Sequence, residues 1–166
     1  MIIFLELALI IFLFLALYLM LQGAPFVPIH GSKLEKINKL ANLRPGMKIA
    51  DLGSGDGRIV IALAQAGAEA HGYEINPLLV LWSRHKIRKL KLSSRAFVHW
   101  KSFWSADFSS FDLIVILGIN HIMKRLENKL QRELKPGAKV VCLIFPLPTW
   151  PETAKTEKTY LYIKSL

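Results

Sequence analysis

The chain is poor in cysteine, in acidic residues and in repetition. Its single cysteine, Cys142, lies in an apolar run. One thiol cannot form a disulfide within the chain and suggests no metal site, so Cys142 is expected to be a small buried hydrophobe. Twelve acidic residues stand against 22 basic ones, for a formal net charge of +10. That balance draws the chain to an anionic surface, lipid headgroups or nucleic acid, and carries no information about fold. There are no internal repeats and no low-complexity segments, and 166 residues are read as one folded domain.

No basic residue precedes the first apolar run, Ile2 to Leu21, which holds 20 residues with one charge, Glu6. At about 1.5 Å per residue a helix of this length spans about 30 Å, the thickness of a bilayer core. Eight Leu, four Ile and three Phe fill it. At roughly −0.3 to −0.6 kcal/mol each they outweigh a Glu near the helix end, which costs at most about 3 kcal/mol. Residues 1–21 are therefore expected to be a transmembrane anchor. A signal peptide cleaved near Gly23-Ala24 is the competing reading, but it would want a basic start and a shorter apolar core. Lys33, Lys36, Lys39 and Arg44 all lie downstream. The positive-inside rule then predicts a single-pass protein of the inner (cytoplasmic) membrane, with its domain on the cytoplasmic side. There is no Arg- and Ser-rich transit peptide, which favours a bacterial or archaeal source. Residues 22–31, with Pro25 and Pro28, form a linker whose apolar centre around Phe26 is expected to pack on the domain, over the ligand site. Residues 32–166 form the domain.

Within the domain, Lys48 to Leu52 is a short apolar strand, followed by Gly53-Ser54-Gly55-Asp56-Gly57, a helical pattern from Ile59 to Ala66, and a second strand from Glu69 to Ile75 that carries Glu74 at its end. Strand, glycine turn, helix, strand and acid make one nucleotide-binding βαβ half. Glycines let backbone N–H groups approach a ligand, and the terminal acid is placed to accept hydrogen bonds from ribose hydroxyls. The spacing is G-x-G-x-G, not the dinucleotide G-x-G-x-x-G, and Asp51 precedes the first glycine by two residues. A carboxylate there would repel a pyrophosphate but would welcome a ligand with a cationic amine and sulfonium. The stretch resembles motif I of the class I S-adenosylmethionine-dependent methyltransferases. A tight strand–helix turn in another doubly wound protein, an NAD enzyme included, is the alternative.

Around this unit, Ser32-x-x-Glu35 reads as a capping box opening a helix with Leu34, Ile37, Leu40 and Ala41 on its apolar face. Asn76-Pro77 reads as N-cap and first residue of a helix running to about Leu92. Its second half carries Arg84, Lys86, Arg88, Lys89 and Lys91, a solvated face or a contact with anionic lipid. Further strands are predicted over Ala96–Trp100, Asp112–Leu117 and Lys139–Phe145, and a helix over Asn120–Leu134. Pro146–Lys158 is predicted to be loop, and Thr159–Lys164 a last, antiparallel strand. The fold class is α/β: a Rossmann-like, mostly parallel sheet preceded by one transmembrane helix.

Across nearly the whole chain, the apolar N-terminus, PFVPI, DLGSGDGRIVIALA, the ILGINHIM region and FPLPTW resemble the small family that contains the mitochondrial lysine methyltransferases of the ATP synthase c-subunit and of the adenine nucleotide translocase. The resemblance implies a membrane-tethered, S-adenosylmethionine-dependent protein-lysine methyltransferase acting on a membrane protein, with nucleic acid not its partner. It implies a cofactor site of Asp51, Leu52, Gly53, Ser54, Gly55, Asp56, Gly57, Glu74, Ser102 and Phe103. Ser102 stands where similar enzymes carry an acid near the adenine, and a hydroxyl is a weaker acceptor than a carboxylate. Gly118-Ile119-Asn120-His121 stands where they usually carry a Pro-Gln pair. Residues after the fourth strand line the transfer site in class I folds, so Asn120 is the candidate acceptor of a hydrogen bond from the amine and His121 the candidate proton acceptor. For Asn120 a helix N-cap is the competing role, and for His121 a surface histidine on the first helical turn. Phe26, Trp100, Trp104 and Trp150 are candidate walls of a lysine channel, the tryptophans through cation–π contact; each tryptophan otherwise reads as core. Two other functions stay open: a tethered S-adenosylmethionine-binding module without catalysis, and a methyltransferase acting on RNA or a small molecule.

Overall fold

The computed structural model describes residues 4–7, 9–14 and 32–165. The linker over 22–31, with Phe26, and most of the predicted anchor lie outside the described residues. Residues 4–7 and 9–14 are helical and expose apolar side chains such as Phe4 and Phe14. Among the described residues no helix is long and apolar enough to cross a membrane.

The domain alternates helices and strands: α1 (Ser32–Ala41), β1 (Lys48–Leu52), α2 (Arg58–Gln65), β2 (Glu69–Glu74), α3 (Pro77–Lys89), β3 (Ala96–Trp100), a 3-10 turn (Phe103–Ser105), β4 (Leu113–Ile116), α4 (Asn120–Glu133), β5 (Lys139–Leu143), β6 (Ala154–Thr156) and β7 (Thr159–Ile163). The sheet order is β3-β2-β1-β4-β5-β7-β6. β1 to β5 pair in parallel, and β7 inserts antiparallel beside β5, the orientation expected for the last strand. β6 corrects the expectation of loop over Pro146–Lys158: Lys155 and Thr156 pair with Tyr160 and Thr159. Its three residues, Ala-Lys-Thr, are too short and too polar a run for a strand to be read from the sequence.

The central strands β1, β4 and β5 are buried along nearly their whole length because both faces of the sheet are covered there. On one face, Ile37, Val60, Leu63 and Ile87 of α1–α3 pack on Ile49, Val98 and Val115. On the other, Met123, Leu126 and Leu130 of α4 pack on Ile114, Ile116 and Val140, with the buried Cys142. Among the described residues no helix covers β2 and β3 on this second face. Phe108 and Phe111 do so instead, edge-on to Tyr73 at 5.7 and 6.5 Å. α3 begins as predicted, with the Asn76 side chain accepting from the N–H groups of Leu78 and Leu79 at 3.0 and 3.4 Å. It stops at Lys89, short of Leu92, because Lys91 turns into the left-handed region at φ 56°.

Candidate active site

Chain order in the sheet reverses between β1 and its neighbour β4, and all five parallel strands point the same way. The carboxyl ends of β1, β2, β3 and β4 therefore share one edge, where open α/β sheets bind ligands. This edge brings together Asp51, the glycine loop, Glu74, Ser102, Phe103 and Asn120-His121. The opposite edge carries a cleft of about 350 Å³ lined by residues such as Asn42, Asp112 and Lys135.

The glycine loop is held from below and from the side. Gly53 and Ser54 donate their N–H groups to the Tyr73 carbonyl at 2.9 and 3.1 Å. Gly53, Gly55 and Gly57 all have positive φ, of 79°, 54° and 76°. They are not equivalent. A Cβ on Gly53 would meet nothing within 4 Å, so the backbone there is open to a ligand. A Cβ on Gly57 would stand 2.8 Å from Cβ of Ser83, so this glycine serves the contact between α2 and α3. Ser83, fully buried, lies with Oγ 3.0 Å from the Gly55 carbonyl and 2.6 Å from that of Leu79, fastening the loop to α3.

Asp51 is 3% exposed. Its Oδ2 and the Ser54 hydroxyl are the two buried side-chain polar atoms without a hydrogen-bond partner among the described residues. Burial above all, then the nearby Glu74 and Asp56 carboxylates, raise the Asp51 pKa to about 7. The site thus holds a costly acceptor that a cationic donor would satisfy. Glu74 accepts three backbone N–H groups: Ile75 and Asn76 on Oε1 at 2.8 and 2.7 Å, and Gly55 on Oε2 at 3.0 Å. With about four lone-pair sites, the carboxylate keeps one position on Oε2 for a ligand.

Asp56, also in the predicted cofactor set, has protein partners on both carboxylate oxygens. Its carboxylate is held by Arg58, through Nε at 2.9 Å and a terminal nitrogen at 3.0 Å, and by Lys86 Nζ at 2.9 Å. Burial opposes its charge, but the two cations prevail and lower its pKa to about 2. It clamps α2 to α3. Leu52 is core, 2% exposed. Ser102 opens the 3-10 turn, its hydroxyl accepting from the Trp104 N–H at 3.4 Å, and Phe103 packs half-buried against Trp104 with ring centroids 4.7 Å apart.

Asn120 and His121 are exposed on the first turn of α4. The N-cap is Ile119, without a side-chain hydrogen bond, so the capping role for Asn120 is not the one it plays. Of the proposed channel walls, Trp100 is 67% exposed at the rim, its Nε1 donating to the Ile75 carbonyl at 3.0 Å. Trp104 already holds the Arg125 guanidinium 4.3 Å from its ring centroid. Trp150 is no wall: it is buried 5.9 Å from the Tyr162 ring, in the core. Its loop is held by Glu127, a fully buried carboxylate that the sequence did not single out. Glu127 accepts from the N–H groups of Thr149 and Trp150 at 2.8 and 3.2 Å, from the Thr149 hydroxyl, and from Lys124 at 3.0 Å. Burial works against its charge, yet these donors pull its pKa below the ordinary range. Ser83, Lys86 and Glu127 share a cause for going unread: their partners lie 22 to 30 residues away.

This edge matches known methyltransferases. The chain is 41% identical over 126 residues to the ATP synthase c-subunit lysine N-methyltransferase of Rattus norvegicus, a match covering 76% of this chain and 58% of that one. The chain thus spans little more than half the length of that relative. It is 30% identical over 149 residues to a protein-lysine N-methyltransferase of Saccharolobus islandicus, covering 84% of this chain and 92% of the other. The crystal structure of an RNA methyltransferase from Salinibacter ruber in complex with S-adenosyl-L-homocysteine superposes with a TM-score of 0.80 at 26% identity, covering 84% of this chain and 94% of that one. Residues 51–154, from the buried Asp51 to the start of β6, match the ANTKMT methyltransferase domain, and the chain belongs to that family.

Proposed function

We propose that the chain binds S-adenosylmethionine at the carboxyl edge of β1 and β2 and moves its methyl group to a lysine amine of a membrane protein. The observation that carries this reading is the buried Asp51 carboxylate, with Oδ2 unpartnered beside a glycine loop that is open at Gly53. The cofactor supplies an electrophilic methyl group on a cationic sulfonium. Asp51 accepts from its ammonium group, Glu74 Oε2 from a ribose hydroxyl, and the Ser102 hydroxyl from the adenine amine. Lysine must react as the neutral amine, and its ordinary pKa is about 10.4. Asn120 orients that amine, and His121, one residue on, receives its proton. Most of the acceleration then comes from holding the amine in line with the methyl group.

The acceptor class is supported by the lysine methyltransferases among the relatives, and the membrane by the apolar run over residues 2–21. We place the chain as a single-pass protein of a bacterial or archaeal inner membrane with the domain in the cytoplasm. A ten-residue linker, fully extended, reaches at most about 35 Å, so the site sweeps a thin shell above the bilayer. The likeness to the Salinibacter RNA methyltransferase favours a second reading, RNA as the acceptor. Tritiated S-adenosylmethionine supplied with the full-length protein to membranes from cells lacking it separates these. Label in a protein band supports the proposal, label in RNA the second reading, and label in neither contradicts both.

A further inference from the structure

α3 has two apolar faces. One, with Val80, Ser83 and Ile87, is buried in the domain. The other presents Leu78, Leu81 and Trp82, which are 73%, 61% and 57% exposed and follow the spacing of one helix face. His85 continues that stripe, its ring stacked on Trp82 at 6.2 Å. Among the described residues nothing packs over these side chains, and a contiguous exposed stripe marks a contact.

The surroundings of the stripe identify its partner. Between Glu74 and Asp107 the chain has seven Lys or Arg residues and no acid. Arg84, Arg88, Lys89, Lys91 and Arg95 are exposed. A helix with Leu and Trp on one side and an acid-free basic flank is built for an interface that is apolar below and anionic above. The same chain exposes a second apolar helical segment, over residues 4–7 and 9–14. We propose that the outer face of α3 seats in the headgroup layer of an anionic bilayer, with Leu78, Leu81 and Trp82 inserted and the basic residues on lipid phosphates. α3 starts from Asn76, two residues beyond Glu74, so this seating turns the cofactor edge toward the membrane surface. The inference rests on the membrane placement proposed above but not on the chemistry.

The test uses the full-length protein in vesicles of equal parts phosphatidylcholine and phosphatidylglycerol, or of phosphatidylcholine alone. A spin label is placed at Leu81→Cys or, as the reference, at Ser110→Cys, exposed in the loop before β4 at the sheet edge opposite the cofactor site. Cys142 is buried and does not compete for the label. Flotation of the same samples reports whether the bilayer holds the chain at all. In the mixed vesicles the ratio of oxygen to nickel-chelate accessibility should be several-fold higher at 81 than at 110. It should fall toward the reference in phosphatidylcholine alone, and in the mixed vesicles when Arg88→Glu and Lys89→Glu are added. Equal, water-like ratios at both positions overturn the proposal, as does a high ratio at 81 indifferent to lipid charge. A label at 81 shielded from both reagents even in detergent also overturns it, since a protein segment would then cover the stripe. The readout involves no methyl transfer, so it can fail while the proposed chemistry stands.

Discussion

Replacing Asp51 with Asn should stabilise the unliganded protein and weaken its cofactor binding. In the fold the Asp51 pKa stands at about 7, against 3.8 for the free group. Between those values the folded state holds a proton that the unfolded state has lost, so stability falls as pH rises and the loss is complete above about 7. Three pH units at about 1.36 kcal/mol each come to about 4 kcal/mol at pH 8, but only about 1.5 kcal/mol at pH 5. Asn removes the charge and leaves a buried amide in its place, at a cost of about 1–3 kcal/mol. The net gain at pH 8 is therefore about 1–3 kcal/mol. The increase in that gain from pH 5 to pH 8, about 2–3 kcal/mol, does not depend on the amide. Urea unfolding of full-length wild type and Asp51→Asn in detergent, at pH 5, 6, 7 and 8 without cofactor, measures both. In the same variant S-adenosylmethionine should bind about tenfold to a hundredfold more weakly, the worth of a hydrogen bond to a charged group. Wild-type affinity should itself fall as pH drops below about 7, where Asp51 must first release its proton. Stability curves that stay parallel across the pH range would refute the placement of this charge.

Three further outcomes follow from the same geometry. Glu74→Ala should weaken S-adenosylmethionine binding by about 2–4 kcal/mol in calorimetry, because ribose hydroxyls and three backbone N–H groups lose a charged acceptor together; unchanged affinity would misplace the site. Gly53→Ala should cost about 1–2 kcal/mol of stability from its φ while blocking the cofactor, whereas Gly57→Ala should cost more through its clash with Ser83, and Ser83→Gly should recover part of that loss. Extraction of cell membranes with alkaline carbonate should leave the full-length protein in the pellet, and its release into the supernatant would contradict the anchor over residues 1–21.

What the sequence made legible were requirements that neighbouring residues impose on one backbone. Asp51, the glycine turn and Glu74 lie within 24 residues, and each announces itself by type and spacing. The mostly parallel pairing was legible because strands joined by helices build a parallel sheet, whereas their order came only with the structure. Partnerships across the fold were not legible. Asp56 looked like part of a ligand loop until Lys86 arrived from α3, and Glu127 looked like one more charge on an amphipathic helix until the Thr149-Trp150 backbone closed over it. Gly57 shows the same limit at a single position: the spacing called for a glycine, but only the approach of Ser83 shows that it serves packing and not the ligand.

The central claim is that this edge delivers a methyl group to a lysine of a membrane protein. The most direct measurement is mass spectrometry of membrane proteins from cells that carry the chain, cells that lack it, and cells that carry Glu74→Ala. The account predicts one to three methyl groups on a lysine near the cytoplasmic headgroup layer of an integral membrane protein, present only with the wild-type chain. Identical lysine methylation of membrane proteins in all three would contradict it.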